Sequence, residues 1–286
     1  MLKFLSRYTT RRVLDSLYKL YVRPHLDYGD VIYHDQLSDC MKLLESVQYN
    51  AALIVSGCWK GTNMDRIYDE LGWEKLSSRR HFRRLTLFYK IQNGLTPSYL
   101  SECVTPVPND ITDRYSKSFF PYCQKHFATL NNFIKNSPTL GKFKSRFLKE
   151  IRPLPKPYYH ITDSYGLSLL AKLRVSFSDL REHRYRHHFN CDSPICACNN
   201  GEETTKHFLL SCSNFSNMRT NFISSLSAIL PDAPLLLQTD QDKLVNIILY
   251  GSLDLKFHVN KQILLFTISY IKFTKRFKKL EAYSLD

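Results

Sequence analysis

The chain has little glycine and almost nothing that resembles a catalytic signature. Nine glycines in 286 residues leave no Gly-rich phosphate loop and few tight hairpins. There is no His-Glu-x-x-His and no nucleophile elbow. No Asp-Asp dipeptide occurs, so the paired aspartates that hold two metals in a polymerase are missing. Asp27 and Asp30 stand three apart, beside what reads as a helix end rather than a strand hairpin. No apolar run approaches the roughly 20 residues that a bilayer-spanning helix needs, so no membrane partner is expected. Arg7, Arg11 and Arg12 interrupt the opening segment too early for a secretory signal. The sequence names no compartment.

What is present reads as a binding protein. Apolar residues make up 43% and charged residues 23%, the composition of a globular chain long enough for two modest domains. Forty Lys and Arg against 26 Asp and Glu give a net charge of +14. The pI near 9.4 points to a polyanionic partner, RNA or DNA.

Eight cysteines are unevenly placed. Cys40, Cys58, Cys103 and Cys123 fall within apolar helical patterns and read as small buried hydrophobes. Cys191, Cys196, Cys198 and Cys212 cluster beside His207. Cys196-x-Cys198-x8-His207-x4-Cys212 matches the Cys3His donor set of structural zinc sites. Two thiols flank one tight turn, and His207 and Cys212 reach back from a helical turn and a half. Cys191, His187 and His188 are alternative ligands at the same place. Three thiolates on one dication leave a charge of −1, which neighbouring arginines offset.

Arginines gather in two runs. Arg79, Arg80, Arg83 and Arg84 form two i,i+4 pairs, whose repulsion of a few tenths of a kcal/mol each a phosphate backbone would relieve. Arg181, Arg184 and Arg186 alternate with Tyr185 and Phe189, a mixture suited to phosphate neutralisation with base stacking. Lys275 and Arg276 close the last helical pattern, together with Lys272, Lys278 and Lys279.

The periodicity predicts a mainly α fold. Helices are expected from Arg11 to Tyr21, Ser38 to Ser56, after Thr62 to Leu71, and from Ser77 or Ser78 to Asn93. Others follow Ser137-Pro138, then span Gly166 to Leu173, Ser178 to Phe189, Phe215 to Ile229, and Val259 to Leu280. Gly57, Gly72 and Gly94 read as helix stops. The expected organisation is a helical bundle over 1–104, a linker at 105–118 and a helical connector at 119–152. A Pro-rich linker at 153–160 leads to a helical domain over 161–286, with a zinc knuckle at 195–213.

A set of short motifs runs through this order. Leu17-Tyr18-Lys19 and Val22-Arg23-Pro24-His25-Leu26-Asp27-Tyr28-Gly29 come first. Leu44-Glu45-Ser46-Val47-Gln48, Glu70-Leu71-Gly72-Trp73, Arg79-Arg80, Tyr89-Lys90-Ile91 and Asn93-Gly94 follow. Then come Ser118-Phe119-Phe120-Pro121, Ile151-Arg152-Pro153, Leu173-Arg174, Leu180-Arg181-Glu182-His183, the Cys/His cluster and Leu249-Tyr250-Gly251. Together they resemble the C-terminal region of non-LTR (LINE-type) retrotransposon polyproteins, where a thumb and a Cys/His knuckle segment follow the reverse transcriptase. The resemblance implies a thumb-like N-terminal region that grips a template–primer duplex and a knuckle that holds element RNA or target DNA. The family's aromatic-Ala-Asp-Asp palm site has no counterpart here, so its catalytic residues map to no position. The stretch from Cys103 to Tyr115 is shorter than that family's linker, the mark of a truncated, decaying copy.

The expected function is therefore a non-catalytic, zinc-stabilised nucleic-acid-binding fragment whose natural partner is the palm of the parent element. Its rivals are a contribution to RNA-directed DNA synthesis with a separate palm, a protein-interaction module, and a remnant without function.

Overall fold

Buried positions recurring at helical spacing account for most of the structure, a computed structural model that describes residues 2–32, 38–108, 112–151, 156–158 and 160–277. The chain is mainly helical, and among the described residues the only β pairing is an isolated bridge between Ile195 and Glu202. No described helix is long and apolar enough to cross a membrane. Lys278, Lys279 and Leu280, expected at the end of the last helix, and residues 153–155 of the Pro-rich segment lie outside the described residues.

The chain divides into two compact units. One combines Met1–Asp15, Ala52–Leu71 and Pro155–Asp286; the other combines Ser16–Ala51 and Gly72–Leu154. A division falls in the Pro-rich segment, but the region expected as a single bundle over 1–104 is shared between the units. The segment 105–118, expected as linker, carries a short helix, Asp113–Ser116, whose Thr112 cap accepts from the Tyr115 amide.

In the second unit, helix Leu76–Gln92 lays Leu85, Phe88 and Tyr89 against Cys123 of helix Phe119–Thr129 and against Phe143 and Phe147 of helix Leu140–Ile151. The Tyr89 and Phe143 rings stack at 4.3 Å. Burial of each such ring contributes about 2 kcal/mol. Elsewhere in this unit Tyr18 stacks on Trp73 at 3.9 Å and donates to Gln48, whose amide donates to Glu74 O. The expected continuous helix from Arg11 is modified before Pro24. Proline has no amide hydrogen to continue the ladder. The helix Arg11–Leu17 widens into a π turn, Tyr18–Val22, in which the Arg23 amide reaches Tyr18 O, and Arg23–Asp27 follows.

The core of the first unit is larger. Leu167, Leu170 and Leu173 of helix Ser164–Arg174 join Phe222 and Leu226, Leu244 and Ile248, and Ile263, Leu264, Ile268 and Ile271 from three further helices. Those helices are Ser216–Ser227, Gln241–Tyr250 and Phe257–Phe273. Its early segments attach through charge. Arg174, fully buried, bonds Glu70 at 3.2 Å and Leu249 O at 2.8 Å, and Arg11 lies 3.8 Å from the same carboxylate. The Tyr158 ring sits under both guanidiniums. Burial raises the Glu70 pKa, against the pull of Arg174 and Arg11. This pairing of segments distant in sequence accounts for the shared 1–104 region.

Candidate metal centre

The knuckle begins as a miniature hairpin. The Ile195–Glu202 bridge is accompanied by amide bonds from Cys196 to Gly201 O and from Glu203 to Pro194 O, each 2.9 Å. Its tip turns through Asn199 and Gly201, both at positive φ. Asparagine and glycine tolerate that region best. Cys196 and Cys198 flank the turn.

The other two ligands come from a π turn, His207–Ser211, in which the Cys212 amide reaches His207 O at 2.8 Å. This wider turn sets residues five apart one above the other. The spacing predicts an ordinary helical turn and a half, and the extra residue replaces it. The turn is held from below: Phe208, Leu209 and Leu210 are buried in the core, and the Tyr270 hydroxyl donates to Phe208 O at 2.9 Å. Arg219 donates to Cys212 O.

The result is convergence. One donor atom from each of Cys196, Cys198, His207 and Cys212 lies within 4.8 Å of all the others. Cys196 Sγ and Cys212 Sγ are 3.6 Å apart, and Cys198 Sγ is 3.3 Å from His207 Nε2. A tetrahedral ion about 2.3 Å from each sulfur would set sulfurs about 3.8 Å apart. The cluster can therefore hold a metal ion. Cys191, offered as a substitute, faces Arg181 O and Ser193 O, while His187 packs against Phe177. Neither these nor His188 belong to the cluster.

The thiols differ electrostatically. Burial pushes Cys196 up to about 12 and raises Cys212 as well. Cys198 resists its desolvation: hydrogen bonds from the Asn200 amide, Cys196, His207 and Cys212 lower it to about 6. A bound cation would draw off the thiol protons.

Glu203, which carries no motif of its own, ties the knuckle to its surroundings. Its carboxylate accepts from the Arg181 amide at 2.7 Å and from two nitrogens of Arg276. Only the donors' distance in sequence hides this role.

The arginine expectations need correction. Arg80 and Arg84 are buried, 4% and 1% exposed, and cannot reach a phosphate. Arg84 lies 4.2 Å from the Tyr122 ring centroid and donates to Lys117 O. Arg79 is held by Asp27 and Glu74, and Arg83 by Asp27 and Asp30. For the Arg79/Arg83 pair local acids, not a phosphate backbone, relieve the i,i+4 repulsion. Burial raises the Asp30 pKa against the pull of Arg83. Arg276 is consumed by Glu203. Arg181 is half-buried, Arg184 donates to Asn190 O, and Arg186 pairs with Glu182 while half its side chain remains exposed. Lys275 is exposed, at positive φ just beyond the helix end. Tyr185 and Phe189 stand 49% and 44% exposed beside these cations.

Comparison with protein-family models, with curated proteins and with solved structures returned no match.

Proposed function

We propose that the unit carrying Pro155–Asp286 binds zinc at Cys196, Cys198, His207 and Cys212 and uses the surface beside it to bind nucleic acid. The observation that carries this reading is the convergence of four soft and borderline donors in the same unit as a run of cations and rings, Arg184 to Phe189, in which Tyr185, Arg186, His188 and Phe189 are exposed. Three thiolates with one imidazole suit zinc, and such closed four-ligand sites are structural. The ion would fix the turn; the chain's own residues do the binding. Arg184, Arg186 and Lys275, with Arg181 behind them, supply positive charge, and Tyr185 and Phe189 supply faces for bases.

No residue has a catalytic role in this function. The ordered motifs support derivation from the thumb and Cys/His region of a LINE-type polyprotein, acting beside a palm supplied separately. Arg79, Arg83 and Arg276, held by carboxylates of the chain, and the buried Arg80 and Arg84 are not assigned to this interface.

The test is fluorescence anisotropy of labelled RNA and DNA titrated with zinc-loaded protein across a salt series. The expected result is an affinity that falls steeply with salt and a slope that flattens in Arg184→Ala/Arg186→Ala, by about 0.7 for each single-strand phosphate that is no longer neutralised. An affinity that stays flat from low to physiological salt overturns the reading in favour of a protein-interaction module.

A further inference from the structure

Trp59 lies outside the cysteine cluster but in the same compact unit. It sits on a turn fixed at both ends. The Thr62 amide and hydroxyl both donate to Trp59 O, at 3.2 and 2.7 Å, and Asn63 Oδ1 accepts from the amides of Asp65 and Arg66 at the start of helix Met64–Leu71. Gly57, at φ +70°, passes so close to Ser168 that an added Cβ would meet its Oγ at 2.5 Å. The turn therefore holds a set position, with the Trp59 ring half-buried and Lys60 exposed.

The ring belongs to an array. Phe177, buried, is its hub: the Trp59 centroid lies 6.1 Å away, that of His187 4.6 Å and that of Phe189 5.3 Å. Trp59 and Phe189 are thus no farther apart than two such contacts placed end to end. Lys172 Nζ stands 4.3 Å from the Trp59 centroid and leaves the ring partly open to solvent. Cations surround the array. Lys172 and Arg184 both act on Asp179, and Arg66 and Arg186 both act on His183, so all four gather about the segment 177–189. The opposing carboxylates are Asp179, half-buried, Glu182, buried and bonded to Arg186, Glu203, buried and bonded to Arg276, and Asp65 on the turn side. With Arg276 and Lys60 added to the four cations, six positive groups stand against these four acids.

We infer that a single-stranded polynucleotide crosses this surface, with one base against Trp59 and a neighbouring base against Phe189. Lys60, Arg66, Arg184 and Arg186 flank its phosphates. The inference rests on the nucleic-acid reading above and extends it to a segment that is remote in sequence from the knuckle. Single strands are favoured because a base within a duplex is already stacked and has no free face for a side-chain ring, whereas an unpaired base of any identity can stack.

The chain has two tryptophans, which makes the test direct. Trp73 is 4% exposed and stacked on Tyr18, so it contributes a constant background. Oligo-dT and oligo-U of roughly twelve nucleotides, and a duplex of equal length, are titrated into the zinc-loaded full chain. Tryptophan emission and the anisotropy of labelled copies are followed together. The expected result is saturable quenching by single strands at the concentration where anisotropy rises. Trp59→Phe removes the quenching, Trp59→Ala weakens binding by about tenfold, and Lys60→Glu weakens it several-fold with an unchanged circular dichroism spectrum. The dT and U arms decide which sugar is preferred. A rise in anisotropy without quenching, Lys60→Glu binding as tightly as wild type, or preference for the duplex overturns the inference and leaves the broader reading standing. No anisotropy change with any strand at low salt overturns both.

Discussion

Arg276 closes a two-pronged grip on Glu203: Nε reaches one carboxylate oxygen and Nη2 the other, both at 2.6 Å. The same Nη2 donates to Asp179 O, and Glu203 also accepts from the Arg181 amide. One acid thus joins the knuckle, the start of helix Arg181–Arg186 and the chain just beyond helix Phe257–Phe273. Arg276→Ala strands a carboxylate that is only 4% exposed. The expected cost is roughly 2–3 kcal/mol, below that of a fully enclosed pair because the guanidinium is a quarter exposed. Urea denaturation reads the loss. The salt slope of oligonucleotide binding should not change, which separates this role from a phosphate contact.

Metal content gives a second prediction. Elemental analysis of protein refolded with zinc should find one ion per chain, and a chelator should lower the melting temperature by many degrees, because ligand convergence is coupled to folding. Cys196→Ser and His207→Ala should abolish stoichiometric binding. Cys191→Ser, outside the cluster, should retain it. A chain that folds fully and melts identically without metal contradicts the zinc assignment.

Arg84 gives a third. It fills space between aromatic rings in a buried site, so Arg84→Ala opens a cavity and removes a cation–π interaction. A loss of about 2–4 kcal/mol is expected in denaturant titrations. Affinity for nucleic acid, compared under conditions where both proteins are folded, should not move.

The fourth concerns acid. Burial, then Arg186, His187 and Arg66, hold His183 down to about 4, against 6.5 for a free imidazole. Its Nδ1 instead shares a hydrogen with Ser178 Oγ at 2.8 Å. Between those two values the unfolded chain binds a proton that the folded chain refuses. Stability is therefore complete above about pH 6.5 and falls as the pH drops toward 4, by roughly 3 kcal/mol. Acid also protonates thiolates, so wild type and His183→Gln should be compared at the same zinc concentration. The difference between their stability–pH curves isolates the imidazole, and parallel curves contradict its assignment.

The four-donor cluster was legible because its residues lie within seventeen positions, and donor chemistry with turn geometry suffices at that range. Helix stops were legible for the same local reason: Gly57, Gly72 and Gly94 all adopt positive φ. Local competition shifted several starts. The helix expected after Thr62 is capped by Asn63, while the Thr62 hydroxyl turns to Trp59 O. The helix expected from Ser178 begins at Arg181, because the Ser178 hydroxyl is engaged by His183.

The arginines were not legible. Nothing in Arg79-Arg80-His81-Phe82-Arg83-Arg84 distinguishes a phosphate-facing surface from a buried ionic seam. What decides it is Asp27, 52 positions from Arg79, carried to it by tertiary folding. The Trp59 array was hidden likewise, since its hub, Phe177, lies far along the chain.

The ion group of Arg11, Glu70 and Arg174 has a practical corollary for anyone who would cut this protein. The prolines near residue 155 invite cleavage there, yet a piece starting at that point leaves Glu70 behind. Arg174 would then be an interior cation with no counter-charge, and the isolated fragment should precipitate or melt early. Supplying residues 52–71 in trans, as a peptide, should rescue it.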